Sequence, residues 1–149
     1  KVPIMQNDSI DYIISYIRKK KIKNILEIGT AIGYSAIMMA LSSPDIYVVT
    51  IEKDKERYLE AVKNVKKFKL EDRITLIYSD ALTTKIDGRY DMILIDAAKS
   101  KNLEFFQHYE RNRRKKAEFH ARCGDSHHWR CAHEGAWGNL QNSPRQYPW

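Results

Sequence analysis

The sequence predicts an α/β domain: a doubly wound parallel sheet with helices on both faces, ending after its fourth strand. Three observations point there. Apolar, largely β-branched runs at 25–28, 46–51, 74–78 and 91–95 lack polar alternation, as strands buried on both faces do. Segments with helical period separate them, the alternation that gives parallel strands joined by crossover helices. The first run breaks at Gly29, and Gly33 opens the next apolar segment, so strand, tight turn and helix follow one another.

Ile10, Ile13, Ile14 and Ile17 recur at i, i+3, i+4 and i+7 behind the capping side chains of Asn7, Asp8 and Ser9. They predict an amphipathic helix over about 6–20, which Val2-Pro3-Ile4-Met5 enters in extended form. Arg18-Lys19-Lys20-Lys21 closes it, where cations suit the negative end of the helix dipole; the alternative for that run is a nucleic-acid contact. Strand one follows at 25–28. Gly29 lets the chain leave it with unusual φ/ψ, and Gly33 lets the loop backbone press on a ligand or a neighbouring helix. A helix over about 34–42 ends at Ser42-Ser43-Pro44-Asp45, because proline cannot continue it. Strand two, 46–51, ends at Glu52.

Tyr58, Ala61, Val62, Val65 and Phe68 form the inward face expected of a helix over 55–69, with Lys63, Lys66, Lys67 and Lys69 outside or near its end. Strand three, 74–78, ends at Ser79-Asp80. Asp87-Gly88 makes a turn, and strand four, 91–95, ends at Asp96. A short helix over about 100–109 carries Leu103, Phe105 and Phe106.

A length of 149 residues with 43% apolar content leaves room for one domain with a real core. No apolar run approaches the roughly 18 residues that span a bilayer, and Lys1-Val2-Pro3-Ile4 does not read as a signal peptide, so a cytoplasmic protein without membrane partners is expected. The only cysteines, Cys123 and Cys131, give no disulfide framework to the main body.

From Arg111 the composition changes. Residues 111–149 hold no Ile, no Val and one Leu, against 17 Ile in residues 1–110. They hold all three Trp, both Cys and four of the five His. Eight of the 26 Lys/Arg and three of the 19 acids lie there, so the segment carries five of the seven net positive charges. With no visible period it is expected to add no strand and to be poorly ordered. The chain is therefore divided into residues 1–110, the domain proper, and a basic Trp/His/Arg-rich tail over 111–149 whose composition suits an out-of-frame translation. A competing reading makes Cys123, His127, His128, Cys131 and His133 a small zinc-bound nucleic-acid contact, although their spacing matches no common finger.

Glu52, Asp80 and Asp96 each close a strand, and parallel strands bring all three to one edge, around the Gly29–Gly33 turn. Acids in such places also cap following helices, as Asp54 is expected to do. Glu27 lies inside strand one, two residues before the turn. A dinucleotide site wants Gly-x-Gly-x-x-Gly, but Ala31 and Tyr34 stand where the second and third glycines belong, and no phosphate loop of the Gly-x-x-x-x-Gly-Lys kind exists. The expected ligand has ribose and adenine without phosphates. A carboxylate at the end of strand two can accept from both ribose hydroxyls, and one at the end of strand three can accept from an adenine amine or lie close by.

Glu27-Ile28-Gly29-Thr30-Ala31-Ile32-Gly33-Tyr34-Ser35, Ile51-Glu52, Ser79-Asp80-Ala81-Leu82 and Tyr90-Asp91-Met92-Ile93-Leu94-Ile95-Asp96-Ala97-Ala98-Lys99 resemble the class I S-adenosylmethionine-dependent O-methyltransferases. The metal-dependent, caffeoyl-CoA O-methyltransferase-like branch is the nearest. Within it, Val2-Pro3-Ile4-Met5 and Phe105-Phe106-x-x-Tyr109-Glu110 are most similar to the bacterial tRNA 5-hydroxyuridine methyltransferases. The resemblance covers residues 2–110 and implies a Rossmann-like fold. It implies cofactor-binding positions at Met5, Glu27, Ser35, Glu52, Asp80, Ala81 and Asp96, with Glu52 on the ribose and Gly29 and Gly33 shaping the methionine pocket.

The same resemblance implies that Asp96 is also a ligand of Mg²⁺ or a similar divalent ion, and that Lys99 lies near the acceptor oxygen; these two are the catalytic candidates. A solvated lysine in a first helical turn is the alternative for Lys99. A hard cation held by oxygens lowers the acceptor's pKa and orients it, and in-line positioning supplies much of the rest. The family completes its metal site with an Asp-Asn pair after strand five, and no such dipeptide follows Asp96 here; nor does anything before Val2 match the family's N-terminal helices. The implied acceptor is 5-hydroxyuridine in tRNA. Small catechol-like or phenolic acceptors, or a cofactor-binding fragment without activity, are the alternatives. A homodimer is the assembly implied for an intact chain.

Overall fold

Ile25, Leu26 and Ile28 are each at most 1% exposed, and the strand that carries them, β1 (Asn24–Ile28), lies inside the sheet with partners on both sides. The structure, a computed structural model, describes residues 7–123 and 128–132. Around β1 the chain runs α1 (Asn7–Lys20), then β1, α2 (Tyr34–Leu41), β2 (Tyr47–Glu52), α3 (Lys55–Lys67), β3 (Ile74–Tyr78), β4 (Tyr90–Ile95) and α4 (Asn102–Tyr109). Two further strands follow, β5 (Arg113–Cys123) and β6 (His128–Ala132), with 3₁₀ turns at Lys99–Lys101 and Glu110–Asn112 flanking α4. Among the described residues no helix is long and apolar enough to cross a membrane.

The strand order is β3-β2-β1-β4-β5-β6. Strands β1 to β5 pair in parallel, and β6 joins β5 antiparallel. The order reverses beside β1, which has β2 on one side and β4 on the other, and in such sheets this switch point is where ligands bind. Ile28 pairs with both Ile51 and Ile95, which brings the carboxyl ends of these three strands level.

Helices cover both faces. Ile13 of α1, Met39 of α2 and Val65 of α3 pack with Ile25, Val48 and Met92 on one face. Phe105, Phe106 and Tyr109 of α4 pack with Leu26, Ile51 and Ile93 on the other. Successive strand residues point to opposite faces, and both faces are covered, which is why the runs lack polar positions. Helix α3 starts where expected, the Asp54 carboxylate accepting from the Arg57 N–H at 2.9 Å. Phe68 departs from expectation: it follows α3 and is 48% exposed, so the inward face ends at Val65.

The expected end of the sheet at strand four is corrected by β5 and β6. Ala117, Phe119 and Ala121 are buried on β5. The Phe119 ring lies 4.5 Å from that of Phe106 on α4. The alternate residues turn to α1, where the Tyr16 hydroxyl donates to Glu118 at 2.5 Å and the Tyr16 ring sits 4.4 Å from the His120 ring. The strand keeps a period of two, but it is built from alanine, phenylalanine and histidine in place of Ile and Val. A survey of β-branched residues passes over it.

Candidate functional site

The turn after β1 is defined by backbone contacts. The Gly29 and Thr30 N–H groups donate to the Ile51 carbonyl at 3.0 and 3.2 Å, and the Asp96 N–H donates to the Ile28 carbonyl at 2.8 Å. Gly29 has φ +96°, and a Cβ there would lie 2.2 Å from the Asp96 carbonyl oxygen, so no other residue fits. Gly33 has φ +90°, but its nearest neighbour is Ala61 of α3 at an ordinary 3.4 Å. Of the two roles open to Gly33, the structure gives packing on a helix, and its constraint is backbone conformation. Ala31 between them also has positive φ, at 50°.

Beneath the turn lies a buried carboxyl. Glu27 is fully buried and takes hydrogen bonds from the Ser35 hydroxyl on one oxygen and from the Thr50 hydroxyl, at 2.6 Å, on the other. Thr30 and Thr50 share a further hydrogen bond of 2.7 Å between their hydroxyls. Burial pushes the Glu27 pKa up to about 8; the two hydroxyls oppose this, and the charges of Asp96 and Glu52 add to it.

Glu52, the last residue of β2, is 6% exposed. One of its oxygens accepts from the Ala31 N–H at 2.8 Å and the other from the Asp54 N–H at 3.0 Å. Each oxygen keeps a second lone pair, so the carboxylate is oriented by backbone and still able to accept from a diol. Asp80, beyond β3, is exposed and accepts from the Leu82 N–H at 2.9 Å. Ala81 is buried, and its carbonyl accepts from the Tyr109 hydroxyl, which also reaches the Thr84 carbonyl at 3.2 Å. Burial pushes the Tyr109 phenol's pKa up, the Asp80 charge adds to this and Arg111 opposes it, so the hydroxyl stays a donor. Helix α4 thereby ties down the loop that carries Asp80 and Ala81.

Asp96 follows β4 and forms an ion pair with Arg122 of β5, Oδ2 to Nη2 2.5 Å. Burial raises the Asp96 pKa and the guanidinium works against the rise. Ile95 pairs with Ala121, so Arg122 is the next residue along β5 and faces Asp96 across the pair. A divalent ion such as Mg²⁺ needs a set of oxygen ligands in near-octahedral geometry. Here the one expected ligand already carries a cation, and no group of three His, Cys, Asp or Glu side chains among the described residues could hold a metal. The residues present do not fit the divalent ion expected at Asp96.

The structure thus brings Glu27, Gly29, Gly33, Ser35, Glu52, Asp80, Ala81 and Asp96 to the carboxyl edge of the sheet. Lys99 begins the 3₁₀ turn before α4, and only its backbone is described. Met5, His127 and His133 lie outside the described residues, as do the side chains of Cys123, His128 and Cys131. Thr30, Thr50, Tyr109 and Arg122 were not singled out for the site by the sequence. Thr50 had a readable signal, a hydroxyl inside an apolar strand.

The sequence model of the O-methyltransferase family matches residues 3–115. A flavonoid 3',5'-methyltransferase of Vitis vinifera is 30% identical over 115 residues, 71% of this chain and 48% of that protein. A catechol O-methyltransferase of Niastella koreensis is 37% identical over 92 residues, 57% of this chain and 42% of that protein. The chain spans about half the length of the curated relatives it matches. Among solved structures, an O-methyltransferase from Bacillus cereus in complex with SAH superposes with a TM-score of 0.74 at 26% identity, over 80% of this chain and 59% of that one. A provisionally named caffeoyl-CoA O-methyltransferase from Staphylococcus aureus superposes with a TM-score of 0.77 at 38% identity, over 80% of this chain and 59% of that one.

Proposed function

The chain belongs to the O-methyltransferase family, and on that premise we propose that it binds S-adenosylmethionine above the Gly29–Gly33 turn and serves methyl transfer to an acidic hydroxyl. One observation carries this most: Glu27, Glu52, Asp80 and Asp96 lie around the turn, with Glu52 oriented by two backbone amides and a lone pair free on each oxygen. The carboxylates of Glu52 and Asp80 disfavour phosphates, and the cofactor has none; it carries ribose hydroxyls, a sulfonium and an ammonium group. The chemistry it supplies when bound is a methyl group open to attack by an oxygen in line with the S–CH₃ bond.

In this reading Glu52, held by the Ala31 and Asp54 amides, accepts from the ribose hydroxyls. Glu27 and Ser35 face the methionine end, and Asp80 and Ala81 flank the adenine. Asp96 stands at the acceptor side, and Met5 and Lys99 take their places by resemblance, Lys99 beside the acceptor oxygen. Small phenols of the catechol class are the preferred acceptors, supported by the names of the relatives. A tRNA 5-hydroxyuridine is the second reading, supported by the Phe105-Phe106-x-x-Tyr109-Glu110 stretch and by the basic run at Arg18-Lys19-Lys20-Lys21. A cytoplasmic location and a homodimer belong to the same reading.

The origin of the segment from Arg111 is part of the proposal as well, although its strand β5 lies within the sheet. The family match stops at 115, close to the change in composition. If the segment from Arg111 is read out of frame, another frame of the coding DNA contains a glycine turn, an apolar strand and Asp-Asn; failure to find them in either frame removes that idea.

The function is tested by supplying methyl-labelled S-adenosylmethionine with catechol and, separately, with unmodified-wobble and 5-hydroxyuridine tRNA. Label appearing on catechol supports the first reading and label on hydroxyuridine the second. Binding without transfer to either leaves a cofactor-binding fragment, and no binding overturns the proposal.

A further inference from the structure

We infer that Arg122 stands where a divalent cation is expected, so that this chain binds S-adenosylmethionine without a metal at Asp96. The second half of the statement rests on the cofactor reading above; the first rests on the ion pair alone.

Asp96 Oδ2 and Arg122 Nη2 are 2.5 Å apart, and the two side chains are only 18% and 21% exposed. Both residues are placed by backbone. The Asp96 N–H is held by the Ile28 carbonyl at 2.8 Å. Arg122 is held by the β4–β5 register through Phe119 and Ala121, and its carbonyl accepts from the Asn102 side chain at 3.5 Å. A guanidinium does not lose its proton in a protein, so its charge is permanent. A dication approaching Asp96 must either displace that group or be buried next to it, and Nη2 of the guanidinium already occupies Oδ2. No second carboxylate on β5 offers a replacement: among its described side chains the only acid is Glu118, which receives the Tyr16 hydroxyl. The positive charge at the acceptor side of the site thus comes from the chain itself.

The test is a titration of the full chain with Mn²⁺, followed by electron paramagnetic resonance, on the wild type, Asp96→Asn and Arg122→Asp. Superimposable curves for wild type and Asp96→Asn, with at least about tenfold tighter binding in Arg122→Asp, support the inference. One Mn²⁺ bound by the wild type and lost in Asp96→Asn overturns it, and that comparison stands even if Arg122→Asp does not fold. Calorimetry of S-adenosylmethionine is run alongside, in EDTA and in Mg²⁺. Affinities equal within about twofold agree with metal-free binding, and loss of binding in EDTA contradicts it. A chain that binds no S-adenosylmethionine in either buffer defeats the cofactor reading, while the Mn²⁺ curves still decide the occupant of Asp96.

Discussion

Gly29 and Asp96 meet backbone to backbone, so closely that a Cβ on Gly29 would stand 2.2 Å from the Asp96 carbonyl oxygen. The first turn of the site and the end of β4 are therefore in direct backbone contact. Gly29→Ala adds both a left-handed backbone penalty and a clash that only a backbone shift relieves. A loss of roughly 3 kcal/mol or more in unfolding free energy is expected, read from the urea midpoint. Gly33→Ala, with its Cβ at ordinary contact from Ala61, is expected to lose only about 1–2 kcal/mol.

The buried carboxyl of Glu27 makes stability depend on pH. Its folded pKa of about 8 lies above the ordinary carboxyl value of 4.5. Unfolding between those values releases a proton, so the contribution is complete below about 4.5 and is lost as pH rises through about 8. Glu27→Gln is expected to remove a slope of up to about 1.4 kcal/mol per pH unit across that window, measured by denaturation at a series of pH values. A variant with the wild-type slope would mean that another group titrates.

The same carboxyl reports on the ligand. A sulfonium or ammonium group beside Glu27 favours its ionised form, so S-adenosylmethionine binding near pH 7 is expected to release a fraction of a proton. Calorimetry in buffers of different ionisation enthalpy measures it, and Glu27→Gln abolishes the release.

Tyr109 holds the Asp80–Ala81 loop through its hydroxyl on the Ala81 and Thr84 carbonyls. Tyr109→Phe keeps the ring in the core and removes the donor. The expected cost is about 1–2 kcal/mol in stability, with a several-fold weaker S-adenosylmethionine affinity. A stability loss with unchanged affinity would separate the loop from the ligand.

Much of this was legible in the sequence. The four apolar runs and the helical periods between them place β1 to β4 and α1 to α4 to within a residue or two, because both faces of the sheet are covered and the pattern is strong. Glu52, Asp80 and Asp96 were readable as strand-closing acids, since parallel strands share an edge. Pairings across strands were not. Thr50 lies beside Glu27 only through the β1–β2 register. Arg122 reaches Asp96 only because the β4–β5 register shifts between Tyr90 and Met92, from a partner at Arg113 to one at Glu118. A local pattern carries no record of such a shift, and the alanines and histidine of β5 hide the strand itself.

The central claim is that this turn receives S-adenosylmethionine, and calorimetry of the cofactor against wild type and Glu52→Ala tests it most directly. The claim predicts one site per chain in the wild type and at least about tenfold weaker binding in Glu52→Ala, with the fold retained by circular dichroism. Equal affinity in the two proteins, or no binding to a folded wild-type chain, would contradict it.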